Sequence, residues 1–301
     1  HMEGLTQEAI AEKLAISRAR VLKLLAQCRQ DGTVQVRVTS KLSGCVALER
    51  RLEERFGLSQ AIVIPFTSDE DALRRLVGMA AGAYVSDQIR DGMTVGLGWG
   101  STLQSSVNAV TARPVRGLTV VSLLGALTHA SGLNPSEFAW RFADLFGADC
   151  YLLSAPVYAP SEEIRRALFA HAGIEEVLIR ARNLDMAIVS AGDFSPGATV
   201  FRYGLLAQED LDSLRQAGAV GDVLCTFYDR EGRILDHPVN RRVMAVDPNE
   251  LRRAPKLVLA SGGWRKVDSI YAALKLLTPT TLITDEGAAQ GLLSRAKEEG
   301  R

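Results

Sequence analysis

The sequence predicts a doubly wound α/β domain with a mostly parallel, Rossmann-like sheet, preceded by a small helix-turn-helix. Three observations point there. From Ala61 onward, short β-rich runs alternate with helical patterns. Apolar residues make up 47% of the chain but aromatics only 6%, so aliphatic side chains fill the interior, as strands covered on both faces require. The first forty residues read differently, as two short helical patterns around a break.

The totals narrow the function classes. A chain of 301 residues accommodates a small domain plus one large core. The formal net charge is zero, which argues against coating nucleic acid along the whole length and leaves room for one basic patch. The four cysteines (Cys28, Cys45, Cys150, Cys225) are far apart, so neither a disulfide framework nor a zinc site is indicated. Apolar runs such as Leu118 to Leu124 have strand length, far short of a membrane span, and no signal peptide is legible. A cytoplasmic protein without a membrane partner is expected. The opening His1-Met2 reads as the scar of a cleaved tag and is set aside.

Residues 1–38 read as a DNA-binding region. Thr6 is a candidate cap for a helix with Ile10 and Leu14 at i, i+4. Ala15-Ile16 makes the break, and Ser17 caps a second helix whose Val21, Leu24 and Leu25 share one face. Arg20, Lys23 and Gln27 fall on another face, with Arg18 in the first turn. Basic residues near the start of a second helix suit major-groove insertion, so Ser17, Arg18, Arg20 and Lys23 are the candidate DNA contacts. The plainer reading is an amphipathic hairpin with a solvated basic face. Asp31-Gly32 stops the helix, Thr33 to Val38 alternates as a short strand or wing, and Thr39 to Gly44 is polar linker. Leu48, Leu52 and Phe56 then mark a connecting helix, so that 39–58 joins the reader to a large domain at 59–301.

In that domain the strand candidates are A-I-V-I-P, T-V-G-L-G, L-T-V-V-S-L-L-G, C-Y-L-L-S, M-A-I-V-S-A-G, D-V-L-C-T-F-Y, K-L-V-L-A-S-G and T-T-L-I-T-D. Helical patterns cover 70–90, 101–112, 135–146, 161–170, 208–217, 266–276 and 287–298. The stretch 221–246, with Gly232 in it, reads as a hairpin. Ligands are expected at the carboxyl ends of the strands.

Two glycine-rich turns carry chemistry. In T-V-G-L-G-W-G-S-T-L (94–103), Gly98 and Gly100 let backbone approach an anion, while Ser101 and Thr102 open a helix whose first N–H groups are free donors. The alternative is a tight strand-to-helix turn and nothing more. In the run 257–275, S-G-G-W-R-K places Lys266 at a helix start, where a cation opposes the dipole and needs a compensating anion or open solvent. Two such turns facing each other favour a bound phosphate. Asp285, ending the last strand candidate, reads as a helix cap. His129, His171 and His237 have no shared spacing, so no metal and no cofactor is expected. Trp140 and Phe142 read as core packing, and Arg241-Arg242 as a solvated pair.

The stretch L-T-Q-E-A-I-A-E-K-L-A-I-S-R-A-R-V-L-K-L-L resembles the helix-turn-helix of the SorC family of sugar-responsive bacterial regulators. Ala15 departs from the glycine that such turns often carry. The family's readers also have a supporting helix ahead of this segment, which is expected to be missing here. The resemblance extends in order through G-L-G-W-G-S-T-L, S-A-P-V-Y, G-A-V-G-D-V with F-Y-D-R-E-G, S-G-G-W-R-K and L-I-T-D-E-G-A-A. That effector domain is similar to ribose-phosphate isomerases and glucosamine-phosphate deaminases. The resemblance implies that Ser101, Thr102 and Lys266 hold the anionic end of an effector. Gly125, Pro156 and Asp222 would line the rest, with a turn carboxylate as the plainer reading of Asp222. It further implies a sugar, polyol or sugar-phosphate effector, operator DNA as partner, and a homodimer or homotetramer.

An enzyme acting on a sugar phosphate is the competing reading, since the phosphate loop is shared. Against it, the isomerases' D-G-A-D-E-like motif is replaced by N-L-D-M-A-I-V-S-A-G-D, and the deaminases' histidine-bearing loop is not evident. Proton transfer needs a positioned base, and none is legible. A CoA-transferase-like module would need a glutamate nucleophile that is not obvious either. A metabolic enzyme has no use for the reader, which favours a ligand-gated regulator.

Overall fold

The computed structural model describes residues 7–30, 43–128, 134–195 and 198–299. Thr6, the Asp31-Gly32 stop, the alternating run 33–38 and His129 lie outside them. The chain divides into two compact units, His1–Ser40 and Lys41–Arg301.

In the small unit, α1 (Gln7–Lys13) and α2 (Arg18–Gln30) flank a tight turn. Ala15 takes a left-handed φ of 53° in that turn, a conformation glycine adopts without a Cβ penalty. The Ser17 hydroxyl accepts from the Arg20 N–H at 3.3 Å and starts α2. Val21 is only 2% exposed, but Leu14 is 58% exposed and Leu24 42%, contrary to their expected place on an inner face. The corner between two short helices has one narrow inner line, which Val21 fills. The side chain of Leu25 is outside the described set.

The large unit begins with α3 (Ser43–Phe56) and β1 (Gln60–Ile64). There follow α4 (Glu70–Gln88), β2 (Thr94–Leu97), α5 (Ser101–Ser106) and β3 (Thr119–Ser122). Next come α6 (Pro135–Asp144), β4 (Asp149–Tyr151), α7 (Glu162–Phe169) and α8 (Ala172–Ala181). Then β5 (Met186–Val189), β6 (Ala191–Asp193), α9 (Thr199–Arg202) and α10 (Gln208–Gln216). After these are β7 (Gly221–Val223), β8 (Thr226–Tyr228), α11 (Pro238–Arg242) and β9 (Lys256–Ala260). The chain closes with α12 (Val267–Leu277), β10 (Thr281–Asp285) and α13 (Glu286–Glu299).

Seven strands form one sheet in the order β1-β10-β9-β5-β2-β3-β4, every neighbour parallel. Successive residues of β5 alternate between two cores: Met186 and Ile188 face α4 and α6 residues such as Val77 and Phe142, while Ala187 and Val189 join the cluster of α12 and α13. Both faces are therefore covered, as the aliphatic runs imply. The β6-β7-β8 sheet is separate and antiparallel.

Two strand candidates are really two strands each. M-A-I-V-S-A-G breaks at Ser190 into β5 of the large sheet and β6 of the small one. D-V-L-C-T-F-Y folds back on itself at Leu224-Cys225, with Val223 opposite Thr226. Both turn residues have positive φ (53° and 57°), the hairpin turn normally written Asn-Gly, so nothing in the residue types announces it. Gly232 turns the chain where Tyr228 bridges Ile234. Three helices were not expected: α8 and α11 start on histidine caps, His171 and His237, and α9 is a single turn. Phe142 is buried, but Trp140, half a turn away on α6, is 58% exposed rather than packed.

Helix α3 is part of this unit's core: Leu52 is fully buried, and Glu49 and Glu53 accept from the Val63 and Ala61 N–H groups at 3.1 and 2.8 Å. These carboxylates satisfy the outer edge of β1 and block further strand addition there.

Gly78 and Gly82 of α4 seat α5. An ideal Cβ at Gly78 would stand 2.2 Å from Thr102 O, and one at Gly82 2.0 Å from Ser106 O. Gly78→Ala and Gly82→Ala should each lower unfolding stability by about 1–3 kcal/mol, because the obstructing atoms are backbone. Gly44→Ala on α3, where the space is open, should be neutral or stabilising by up to about 1 kcal/mol. Denaturant midpoints of the three variants measure this, and equal midpoints for wild type and Gly82→Ala would contradict the seating.

Candidate functional site

In the sheet order, β2 is followed outward by β3 and β4, while its other neighbour β5 leads to β9 and β10. Chain direction across the sheet thus reverses between β2 and β5, and loops leaving their carboxyl ends diverge. Such a switch point opens a crevice in doubly wound sheets. Here it holds a small cleft that opens to solvent at the carboxyl ends of the strands.

Each wall comes from a different loop. Trp99, Gly100, Ser101 and Thr102 follow β2; Ser190, Ala191 and Gly192 join β5 to β6; Thr199 and Val200 belong to α9. Asp222, Leu224 and Cys225 come from the small hairpin, and Lys266 from the turn after β9. Five of the expected effector residues therefore meet: Gly100, Ser101, Thr102, Asp222 and Lys266. Gly98 stands just behind, its N–H donating to Ile188 O at 2.8 Å, with Leu224 Cδ2 3.2 Å from where a Cβ would be. Gly125 and Pro156 are not in this lining. They meet each other instead: a Cβ on Gly125 would stand 2.6 Å from Pro156 O, and Ala126 bridges Pro156.

Gly100, with φ of 136°, precedes α5, and no side chain caps that helix. Thr102 is buried and Ser101 half-buried beside the cleft. Lys266 caps α12 rather than lying within it. Its Nζ donates to Ala191 O at 3.2 Å. Burial pulls its pKa below the usual lysine value, while Asp193 and then Asp222 oppose that shift. The anions that a cation at a helix start requires are thus supplied from the small sheet. Asp222 is 8% exposed. Burial pushes its carboxyl up to about 6, against the Cys225 N–H and Lys266, which favour the ionised form. Its Oδ2 accepts from Cys225 N–H at 3.0 Å.

The turn bearing Lys266 is pinned from below. Asp285 Oδ1 accepts from Gly263 N–H at 2.6 Å, and Oδ2 from Gly287 and Ala288 at the start of α13. Ser261 Oγ donates to Ala191 O at 3.0 Å, and Ser269 Oγ to Gly192 O. The cleft can hold an oxyanion against hydroxyl, N–H and ammonium donors, and hydroxyl groups against Asp222.

Sequence reading missed Asp193, Gly192, Thr199, Val200 and the Leu224-Cys225 turn. Only Gly192-Asp193 gave a signal, as a glycine at a strand end. His171 and His237 accept from the N–H groups of Gly173 and Val239, and Arg241 and Arg242 pair with Asp236 and Asp210. Among the described residues no cluster of three or more His, Cys, Asp or Glu could hold a metal, and no helix is long and apolar enough to cross a membrane.

In the small unit, Arg18, Arg20 and Lys23 are all exposed. Arg18 makes a surface pair with Glu8 at 3.4 Å, a contact of little energetic weight.

Fold and cleft define a small-molecule-binding α/β domain with its ligand site at the strand ends. Residues 40–294 match the family described as "Putative sugar-binding domain". The chain belongs to this sugar-binding domain family. The Deoxyribonucleoside regulator of Bacillus subtilis is 30% identical over 291 residues, 96% of this chain and 93% of that protein. The Erythritol catabolism regulatory protein EryD of Brucella abortus is 29% identical, over 97% of this chain and 93% of its own. Among solved structures, a DeoR family transcriptional regulator from Listeria monocytogenes superposes with a TM-score of 0.77 at 25% identity, covering 83% of this chain and all of that one. The full-length sorbitol operon regulator SorC of Klebsiella pneumoniae has the same fold, with a TM-score of 0.76 at 24% identity over 97% and 95% of the two chains.

A Cβ at Gly192 would stand 2.0 Å from Asp222 Oδ1. Gly192→Ala should therefore displace the carboxylate and weaken binding of any ligand that uses it by at least tenfold. Isothermal titration with a ligand identified by thermal-shift screening tests this, and unchanged affinity would remove Asp222 from the ligand's contacts.

Proposed function

We propose that the protein is a DNA-binding transcriptional regulator whose operator affinity is controlled by a sugar, a polyol or a phosphorylated derivative bound in the switch-point cleft. The observation that carries this is the meeting of Ser101, Thr102, Asp222 and Lys266, from three separate loops, in one polar cleft. The family match and the regulators among its relatives support it. The exposed basic start of α2 supports the DNA-binding half. Residues 1–38 form the reader and 59–301 the sensing domain, while of the expected linker 39–58 the helix α3 packs into the sensing domain's core. Ser17, Arg18, Arg20 and Lys23 contact operator DNA. Ser101, Thr102 and Lys266 hold the anionic end of a phosphorylated effector, with Gly100 giving it backbone access. Asp222 takes hydroxyls. The protein works in the cytoplasm as a homodimer or homotetramer, whose symmetry matches paired half-sites. Effector binding shifts the arrangement of the readers by no more than its differential affinity for the two states.

One observation favours an enzyme: Asp222, buried in the cleft with its carboxyl lifted to about 6, has the profile of a general base. A coupled assay with ribose 5-phosphate or glucosamine 6-phosphate decides. No turnover is expected, and turnover abolished by Asp222→Asn would replace the regulator reading.

Two mutational outcomes test the regulator. Lys266→Ala should weaken a phosphorylated effector by about ten- to a hundredfold, since a charge-assisted hydrogen bond contributes about 1.5–3 kcal/mol. Equal binding of phosphorylated and free ligands by wild type would sink the phosphate assignment alone. Arg20→Ala or Lys23→Ala should weaken operator binding at all sequences and lower the salt slope by about one unit. Unchanged slopes in fluorescence anisotropy for both variants would move the DNA surface elsewhere.

A further inference from the structure

We propose that Tyr158 is a positioning residue of the effector site: its hydroxyl, from outside the cleft, holds the Leu224-Cys225 turn so that Asp222 meets the ligand. The inference rests on the cleft being the effector site and adds to it a residue that touches no ligand.

The turn is the least self-sufficient part of the cleft wall. Leu224 and Cys225 both line the cleft, and both stand at positive φ, 53° and 57°, which a Cβ disfavours. The strand that follows is held elsewhere. Asn240 accepts from the Phe227 N–H and donates to its carbonyl, each at 2.8 Å, and Tyr228 Oη meets Ser269 Oγ at 3.0 Å. At the turn itself, Tyr158 Oη donates to Cys225 O at 2.9 Å. The N–H of the same cysteine donates to Asp222 Oδ2 at 3.0 Å. Cys225 thus stands between the two side chains, held by Tyr158 through its carbonyl and holding Asp222 through its N–H.

Tyr158 is itself fixed on both sides along the chain. Met244 N–H donates to Val157 O and Ala159 N–H to Arg242 O, each at 2.8 Å, so that Tyr158 lies opposite Val243. Burial pushes the hydroxyl well above its ordinary pKa, which keeps it a donor. Tyr158 is not in the cleft lining, so removing its oxygen takes no contact from a ligand. The last residue of S-A-P-V-Y thereby gains a use, although Pro156 of that motif stays out of the cleft. Without the hydroxyl, the carbonyl of a buried residue loses a partner, and a turn of two left-handed non-glycine residues is freed to relax. Asp222 moves with it, because its held oxygen follows the Cys225 N–H.

The turn carries its own reporter. Cys225 is 2% exposed, and Cys45, on α3, is 5% exposed. Alkylation by N-ethylmaleimide, resolved by peptide mass spectrometry, should be about tenfold faster at Cys225 in Tyr158→Phe than in wild type and unchanged at Cys45. Loss of the hydroxyl by itself works the other way, because its bond to the thiol favours the thiolate. A faster rate therefore reads the opening of the turn. Tyr84→Phe, which removes a hydroxyl bonded to Thr281 Oγ1 outside the cleft lining, should leave both rates as they are.

Inorganic phosphate and ribose 5-phosphate give the second readout, by calorimetry. Tyr158→Phe should bind phosphate within about twofold of wild type, because Ser101, Thr102 and Lys266 belong to other loops, and ribose 5-phosphate about tenfold more weakly. An unchanged Cys225 rate, a rise shared by Cys45, an equal loss of affinity for both probes, or undiminished ribose 5-phosphate affinity with an opened turn overturns the proposal. If neither probe binds wild type, the phosphorylated-effector reading fails, and the Cys225 and Cys45 rates still decide the role of Tyr158.

Discussion

Parallel pairing of β2 with β5 is the contact on which the ligand end of the molecule depends. Val95, Gly96 and Leu97 lie beside Met186, Ala187 and Ile188, and the ladder continues into the Gly98 N–H. The two strands are far apart in sequence, and the chain leaves them in opposite directions across the sheet. Neither loop beyond them can fold over the other, so a crevice remains. Glycine lets leucine side chains close over this seam: a Cβ on Gly96 would come within 2.6 Å of Leu184 Cδ1, which would have to turn aside. Helix α5 then settles onto the bare backbone of α4, which fixes where Ser101 and Thr102 stand. The position of the cleft is thus a consequence of strand order and small residues, before any polar group is considered.

The open ends of the elements are closed by long charged side chains. Arg113 donates from Nη2 to Ser86 O at 2.7 Å and Ile89 O at 3.2 Å at the end of α4. Arg55 does the same at Ala296 near the end of α13, and Arg252 at Leu276 and Lys275 on α12. A guanidinium suits this role because the terminal carbonyls lack intrahelical partners and the helix end is electronegative. Glu49 and Glu53 are the acidic counterpart at the β1 edge. Many of the charged residues that leave the chain formally neutral are occupied with its own backbone.

The large sheet was legible because its strands are aliphatic runs bounded by glycines and separated by periodic helices. The two glycine turns were legible because their residue types fit an anion. What escaped has a common cause. Leu224 and Cys225 form the hairpin turn by tertiary constraint, against their own preferences, so D-V-L-C-T-F-Y looks like one strand. The caps on α8 and α11 are histidines, which carry no helix-start signature. Asp193 matters only because β6 leaves the main sheet after Ser190 and carries it toward Lys266. Leu14 and Leu24 follow the helical period but lie outside the narrow corner that two short helices enclose.

The polar cleft is also where the chain gives up stability. Asp222 has a folded pKa of about 6 against an ordinary 3.8, so its contribution to stability is present at acid pH and is lost as pH rises through 6. The difference corresponds to about 3 kcal/mol at neutral pH. The left-handed Leu224 and Cys225 cost roughly a further 1–2 kcal/mol each. The two effects are linked, because the turn's own Cys225 N–H holds the carboxylate that burial disfavours. Packing alone would be better served by an Asn-Gly turn and an uncharged side chain at position 222. Strain and a desolvated charge concentrated on one wall of one cleft are expected where a ligand, rather than the fold, completes the interactions.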